Sequence, residues 1–438
     1  MIVDATSGIK TFQSFTSHTS PVRLQFTALI IIALPTVRIC VTISGMKTRI
    51  HHADCPSEYL EAFGLDPGRV IYFDIETTGF RASTSGLYMI GWASRESDWT
   101  ITQIMAQSQD EEALLLEQFQ AVLKRYDTII AFNGDRFDIP YLREKYEQIG
   151  LGDPFAGCGT VDLYRQIRPF RKCLGLTRLN QKSVEQFLQI PREDPYNGGE
   201  LIDVYRSVRD HRCDDPSAAL DSLFLHNYED VLGMLAMTKL LAYPAAMESP
   251  GQMKIRIDED APGIEAGIRL KVPVPKPLEA SFCEQCTVSI RGKDMILSLR
   301  PLPGCLYHFF PDYRNYYYLP AEDMAIHKSV ASFVAPSHRE KARAQNCYTK
   351  KRGLFIPLAP ESAAPVSDPP KLLVPISDMP ESTAPEFHAP TFQRYYKDPI
   401  LWIEWKDAMA WNASVLTDYL GTLMKSAVSG AGTSVPSQ

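Results

Sequence analysis

The chain has 438 residues, enough for two or three domains with sizeable cores. Its 45% hydrophobic and 22% charged content are ordinary for a globular protein, and a net charge of −7 excludes a global attraction to polyanions, so nucleic-acid contact would need local basic patches or bound metal. Nine scattered cysteines lack the paired spacing of a secreted disulfide scaffold and point to a reducing cytoplasm.

Residues 1–45 are rich in Ser and Thr and nearly free of acids. Their apolar run from Phe26 is interrupted by Pro35 and Arg38, which suits neither a membrane span nor a signal peptide. They are expected to be a disordered or upstream extension, with Met46 opening the folded chain and no membrane contact.

The stretch Val70-Ile71-Tyr72-Phe73-Asp74-Ile75-Glu76-Thr77-Thr78-Gly79 reads as a buried central strand. Side chains at i and i+2 share a strand face, so Asp74 and Glu76 project together. Two adjacent carboxylates repel unless a cation lies between them, and hard oxygen donors suit Mg²⁺ or Mn²⁺. Leu87 to Ala93 and Thr100 to Ala106 are two further strands, which completes an antiparallel meander. Asp110 is expected to cap a helix with Leu114, Leu115, Phe119, Val122 and Leu123 as its apolar stripe. Thr128 to Phe132 is short and apolar, as a parallel strand covered on both faces would be, giving the order βββαβ.

Asn133-Gly134 is a turn at that strand's end, Asp135 the expected cap, and Phe137 to Ile149 the next helix. Asp138 therefore stands near a helix N-terminus beside the carboxyl end of a strand, where α/β sheets place their sites. Helices are expected over Leu176 to Ile190 and Glu200 to His211, around a Pro195 to Gly199 loop. A long helix from Leu220 to Leu241 puts His226 and Asp230 one turn apart on one face.

Asp74-x-Glu76, the segment Asn133 to Asp138 and the His226-to-Asp230 helix resemble, in order and context, the three motifs of DEDD-superfamily 3′–5′ exonucleases. Among these the chain is most similar to the bacterial ribonuclease H-like domain-containing proteins, over Val70 to about Leu241. The resemblance implies an α/β, ribonuclease H-like fold: a βββαβα mixed sheet flanked by helices. It also implies hydrolysis of DNA or RNA phosphodiester bonds with two divalent ions, Mg²⁺ or Mn²⁺, held by Asp74, Glu76, Asp138 and Asp230. His226 would then be the general base acting on water. Thr77, Asn133 and Phe137 would lie beside the substrate. One departure stands out. The tyrosine branch carries Tyr four residues before the last Asp and the histidine branch His five before, whereas here His226 is four before, Leu225 five and Tyr228 two. A non-catalytic nucleic-acid-binding protein and a structure-specific endonuclease are the alternatives.

From Pro244 the character changes. Ile264 to Val274 and Cys286 to Leu299 are β-rich runs, and Gly304 to Pro320 is dense in aromatic residues. Cations follow. Aromatic rings interleaved with cations can stack bases and hold phosphates, which makes Tyr316, Tyr317, Lys328, Lys350 and Arg352 candidate substrate contacts. The lone Cys283-x-x-Cys286 lacks a second close pair for zinc and reads as two reduced thiols. The expected divisions are 46–245 for the nuclease-like domain, 252–356 for a smaller β-rich accessory domain and 357–390 for a Pro-rich linker. A strand and amphipathic helix occupy 391–427, and 428–438 is a disordered tail.

Overall fold

The computed structural model describes residues 27–29, 39–43, 46–196, 198–248, 251–258, 260–359 and 389–429. The expected 1–45 extension, the Pro-rich linker and the tail fall largely outside these residues. Within the first of them, strands β1 (Thr27–Leu29) and β2 (Ile39–Ile43) are described. After them come β3 (Met46–His52), α1 (Ser57–Phe63), β4 (Val70–Thr77), β5 (Leu87–Arg95) and β6 (Trp99–Met105). Next are α2 (Glu112–Leu123), β7 (Thr128–Ala131), α3 (Asp138–Gln148), β8 (Gly159–Asp162) and α4 (Leu163–Ile167). Helices α5 (Gln181–Leu188), α6 (Gly198–Arg209), α7 (Pro216–Met237) and α8 (Ala242–Glu248) complete this half.

The strands form one sheet in the order β1-β2-β3-β6-β5-β4-β7-β8, with β4, β7 and β8 parallel and the rest antiparallel. This is the expected βββαβα mixed sheet, extended beyond β6 by β3, β2 and β1 and beyond β7 by β8. Being flanked on both sides, β4 is apolar on both faces. Ile71, Phe73 and Ile75 pack with Leu116, Phe119, Ile139 and Leu142 of α2 and α3. Val70 and Tyr72 face the other way, into the cluster holding Val231 and Leu235 of α7. Since Asp74 and Glu76 follow Tyr72 at two-residue steps, they too point at α7.

Three local expectations need correction. A 3₁₀ turn, Gln109–Glu111, precedes α2, and no side chain caps either. Asp110 is therefore not a cap, and Glu112 instead accepts from the Leu87 N–H (2.7 Å) and pairs with the buried Lys145 (2.9 Å). Nor does Asp135 cap α3: it pairs with Arg165 at 2.6 Å. Helix α5 also starts later than expected, at Gln181, where the Asn180 side chain caps it.

In the second half, β9 (Met253–Asp258), β10 (Gly263–Arg269), β11 (Leu278–Cys283), β12 (Cys286–Arg291) and β13 (Asp294–Leu299) make a sheet ordered β11-β12-β13-β10-β9. Cys283 and Cys286 face each other across the β11–β12 turn. Two three-stranded sheets follow, from β14 (Leu302–Phe309), β15 (Tyr316–Leu319), β16 (Met324–His327), β17 (Glu340–Lys341), β18 (Tyr348–Leu358) and β19 (Leu401–Glu404). The smaller β-rich region of the expectation is thus three sheets. Helix α9, Ala413–Ser429, packs its buried Leu416, Leu420 and Leu423 on β11 and β12. One hydrophobic cluster runs from these residues through α8 to Tyr72 and α7, so apolar burial binds the second half to the back of the first sheet.

Candidate metal centre

Three elements meet at the carboxyl end of β4. The strand brings Asp74 and Glu76, whose partners on β5 are Gly91 and Met89, and its register shifts by a bulge between Glu76 and Thr77. Bulges re-aim side chains, and this one falls directly after the second acid. Helix α3 brings Asp138 on its first turn, and α7 brings His226 and Asp230. Glu76, Asp138 and His226 are buried, while Asp230 is half-buried.

Ligand atoms of Glu76, His226 and Asp230 lie within 4.8 Å of one another, the one such His/Cys/Asp/Glu group among the described residues. His226 Nε2 stands 3.2 Å from Asp230 Oδ2 and 3.8 Å from Glu76 Oε1. The expected set is thus gathered, with one difference in geometry: His226 joins the converging group itself, whereas Asp74 and Asp138 flank it. Asp74 Oδ2 accepts from Asn227 Nδ2 at 3.0 Å. The backbone N–H groups of Asp138 and Ile75 favour the charged form of the Asp138 carboxylate.

Burial, then repulsion from Asp230, Glu76 and Asp138, pushes the Asp74 carboxyl well above its ordinary range; burial followed by Asp230 and Asp138 does the same to Glu76. Burial pushes Asp138 up to about 7, against the pull of those two N–H groups. Carboxylates crowded and dehydrated in this way are held either by protons or by a cation. Oxygen donors with one imidazole suit a divalent ion, so the residues present fit a metal.

Sequence reading missed the residues that support this group. Arg192 and Asp194 lie in the loop after α5. Asp194 Oδ2 stands 2.6 Å from His226 Nδ1, which turns Nε2 toward Glu76 and Asp230. Burial alone would raise the Asp194 carboxyl, but the Tyr196 N–H, His226 and Arg192 hold it below its usual value. Arg192 is largely buried and pairs with Asp230 (2.6 Å), Asp194 (3.1 Å) and Glu185 (3.3 Å). Glu229 fastens the loop by accepting the N–H groups of Glu193 and Asp194. Only the density of charge in Arg192-Glu193-Asp194 could have flagged this loop.

Asn227 carried a clearer signal, in Gly91. A Cβ at Gly91 would stand 1.9 Å from Asn227 Oδ1, so only glycine admits α7 this close to β5. Gln103 fixes the same amide by donating to its oxygen at 2.9 Å. Tyr88, stacked on Tyr205 with centroids 3.9 Å apart, aims its hydroxyl at Glu76 Oε2 (3.5 Å).

Of the candidate substrate contacts, Thr77 is buried beside the cluster and bonds the Gly79 carbonyl at 2.8 Å. Asn133 takes a left-handed backbone, φ 61°, and its N–H donates to Asp162 at 2.9 Å. Phe137 sits edge-on to Phe80, which is 85% exposed. Tyr316, Tyr317, Lys328, Lys350 and Arg352 lie in the second half, on or beside the three-stranded sheets. No helix among the described residues is long and apolar enough to cross a membrane.

Residues 71–242 match a family model described as the RNase_H superfamily. A 65-residue segment is 34% identical to DNA polymerase 1 of Aeropyrum pernix; it spans 15% of this chain and 6% of that protein. Among solved structures, a family B DNA polymerase from Pyrobaculum calidifontis aligns with a TM-score of 0.37 at 15% identity, over 84% of this chain and 47% of the polymerase. The apo form of a nuclease aligns with a TM-score of 0.27 at 15% identity, over 44% of this chain and 78% of that one.

Proposed function

From the premise that residues 71–242 belong to the RNase H-like superfamily, we propose that the protein is a metal-dependent 3′–5′ exonuclease acting on single-stranded nucleic acid. One observation carries this reading: Glu76, His226 and Asp230, from a strand and a helix far apart in the chain, converge within 4.8 Å beside the buried Asp138 and the half-buried Asp74. Asp74, Glu76, Asp138 and Asp230 are the ligands proposed for two ions, Mg²⁺ or Mn²⁺. When bound, such ions supply Lewis acidity at the phosphodiester and make hydroxide accessible at neutral pH.

The chain's own part is positioning and proton transfer. His226 Nε2 takes a proton from the attacking water, and Asp194 on Nδ1 fixes the tautomer and steadies the imidazolium. Thr77, Asn133 and Phe137 border the substrate's end. Free thiols suit a reducing cytoplasm. The stretch resembling an archaeal DNA polymerase puts DNA first among substrates to test.

A second reading, metal-independent binding without cleavage, has one observation in its favour: Arg192 already pairs with an Asp230 oxygen. Cleavage of 5′-labelled single-stranded DNA and RNA with Mn²⁺ separates the two. A stepwise ladder, abolished by Asp74→Ala with Glu76→Ala, is expected. An internal fragment would instead mean an endonuclease, and retention without cleavage would mean binding only.

A further inference from the structure

Beside the acidic centre lies a surface of opposite sign. Residues 163–184 carry Arg165, Arg168, Arg171, Lys172, Arg178 and Lys182 and not one carboxylate, in a chain of net charge −7. Helix α4 and the loop leading to α5 fold this stretch against the end of β7, where a groove of about 660 Å³ opens. Phe132 and Tyr164 lie along it as an edge-to-face pair with centroids 6.2 Å apart. The Arg136 guanidinium lies 5.9 Å from the Tyr164 ring centroid, and no acidic side chain lines the groove.

The cations there are not equivalent. Arg171 donates to the carbonyls of Leu176 and Thr177 and so holds its own loop. Arg165, just outside, is paired with Asp135. Arg136 and Arg178 are exposed, and neither is in a salt bridge among the described residues. At one end of the groove Gln181 donates to the Asp230 carbonyl at 2.8 Å, and Asn133 leads into the turn before Asp138. The groove therefore abuts the metal centre.

We propose that this groove grips the phosphodiester backbone of a single strand and delivers its end to Glu76, His226 and Asp230. The proposal rests on the nuclease reading and adds to it the place where an acidic protein holds a polyanion. Arg136 and Arg178 neutralise phosphates, and Tyr164 offers a face on which a base stacks. A ring-lined groove favours unpaired over paired strands, because a duplex hides its base faces.

The test is fluorescence anisotropy of a labelled 15-residue oligothymidylate in EDTA, which separates binding from cleavage, over a range of salt. Arg136→Glu with Arg178→Glu is expected to weaken binding at least about tenfold and to lower the salt slope by about 0.7 for each lost phosphate contact. Tyr164→Leu is expected to weaken binding with the salt slope unchanged. Arg178→Glu alone, on an exposed side chain, repeats the charge test in a variant with no buried contact to lose. Lys254→Glu with Arg256→Glu, on β9, is the charge control and should bind as wild type. Unaltered affinity in the groove variants, or tighter binding of a hairpin duplex than of the single strand, overturns the groove while leaving the nuclease reading intact. Wild type that binds no oligonucleotide, with or without Mn²⁺, overturns both.

Discussion

Two regions of this molecule concentrate charge and aromatic rings, and they treat their charges in opposite ways. In the β15–β16–β17 region several such groups are matched. Lys350 and the hydroxyls of Tyr318 and Tyr348 converge on Asp323, whose carboxyl they hold down at about 2. Tyr316 stacks on Phe310 at 4.5 Å, and Arg339 lies 4.9 Å from the centroid of the Tyr317 ring. At the carboxyl end of β4 the accounts do not close: Asp74, Glu76 and Asp138 crowd one another, and the neighbouring groove leaves Arg136 and Arg178 outside any salt bridge among the described residues. Matched charges hold a fold together, whereas unmatched ones wait for something absent from the chain.

The largest effect that tests this contrast is on catalysis. Asp74→Asn removes one of the crowded charges and should lower Mn²⁺-dependent cleavage by about 10²- to 10³-fold, the scale for losing one preorganised electrostatic group. The metal-free fold should be at least as stable as wild type, because a buried repulsion is gone. Parallel cleavage assays and urea melts check both halves, and a clear loss of stability would place Asp74 among the matched charges. Next in size is Asp194→Asn, which weakens the hold on His226 Nδ1. A loss of about 10- to 100-fold in kcat is expected, from misorienting the base, with Mn²⁺ affinity little changed; Mn²⁺ titration alongside kcat reads both.

The pH dependence has a definite sign. Asp138 titrates at about 7 in the fold and at its ordinary lower value when unfolded, so between those values the folded chain binds more protons. Stability of the metal-free protein should therefore fall as pH rises from about 4 to about 7. The raised carboxyls of Asp74 and Glu76 act in the same direction. Urea melts in EDTA check the slope, and Mn²⁺ should flatten it.

What could be read from the sequence follows the range of the interaction. Strand β4 was legible because a continuous apolar run and an i, i+2 acid pair are local patterns. So was the turn spacing of His226 and Asp230 on α7. Arg192 and Asp194 were not, because their roles exist only once the loop after α5 folds onto α7, more than thirty residues on in the chain. Asp135 looked like a cap, but Arg165, brought near by β8, claims it. Composition marks the Tyr316 to Arg352 stretch as a candidate binding surface, but it cannot show that Lys350 is engaged by Asp323.

Gly91→Ala moves from charge to packing. The new Cβ would collide with Asn227 Oδ1, which sits between β5 and α7, so the amide that bonds Asp74 must shift. Overpacking of this kind costs about 1–3 kcal/mol, measurable as a lower urea midpoint. Cleavage should fall as well, because the same collision reaches Asp74.

The smallest effect is expected in the matched region. Asp323 has φ 49°, a backbone that Asn tolerates as well as Asp, so Asp323→Asn removes the charge without straining the turn. Its partners are partly exposed, which screens the interaction, and the loss should be about 0–1 kcal/mol. Freed from that carboxylate, Lys350 would face solvent as Arg136 and Arg178 do. If oligonucleotide affinity stays unchanged, the C-terminal tyrosines and lysines serve the fold. If it rises by more than a factor of about three, roughly half of a tenfold step in free energy, that sheet is a second, masked strand-binding surface and the contrast between the two regions is one of regulation.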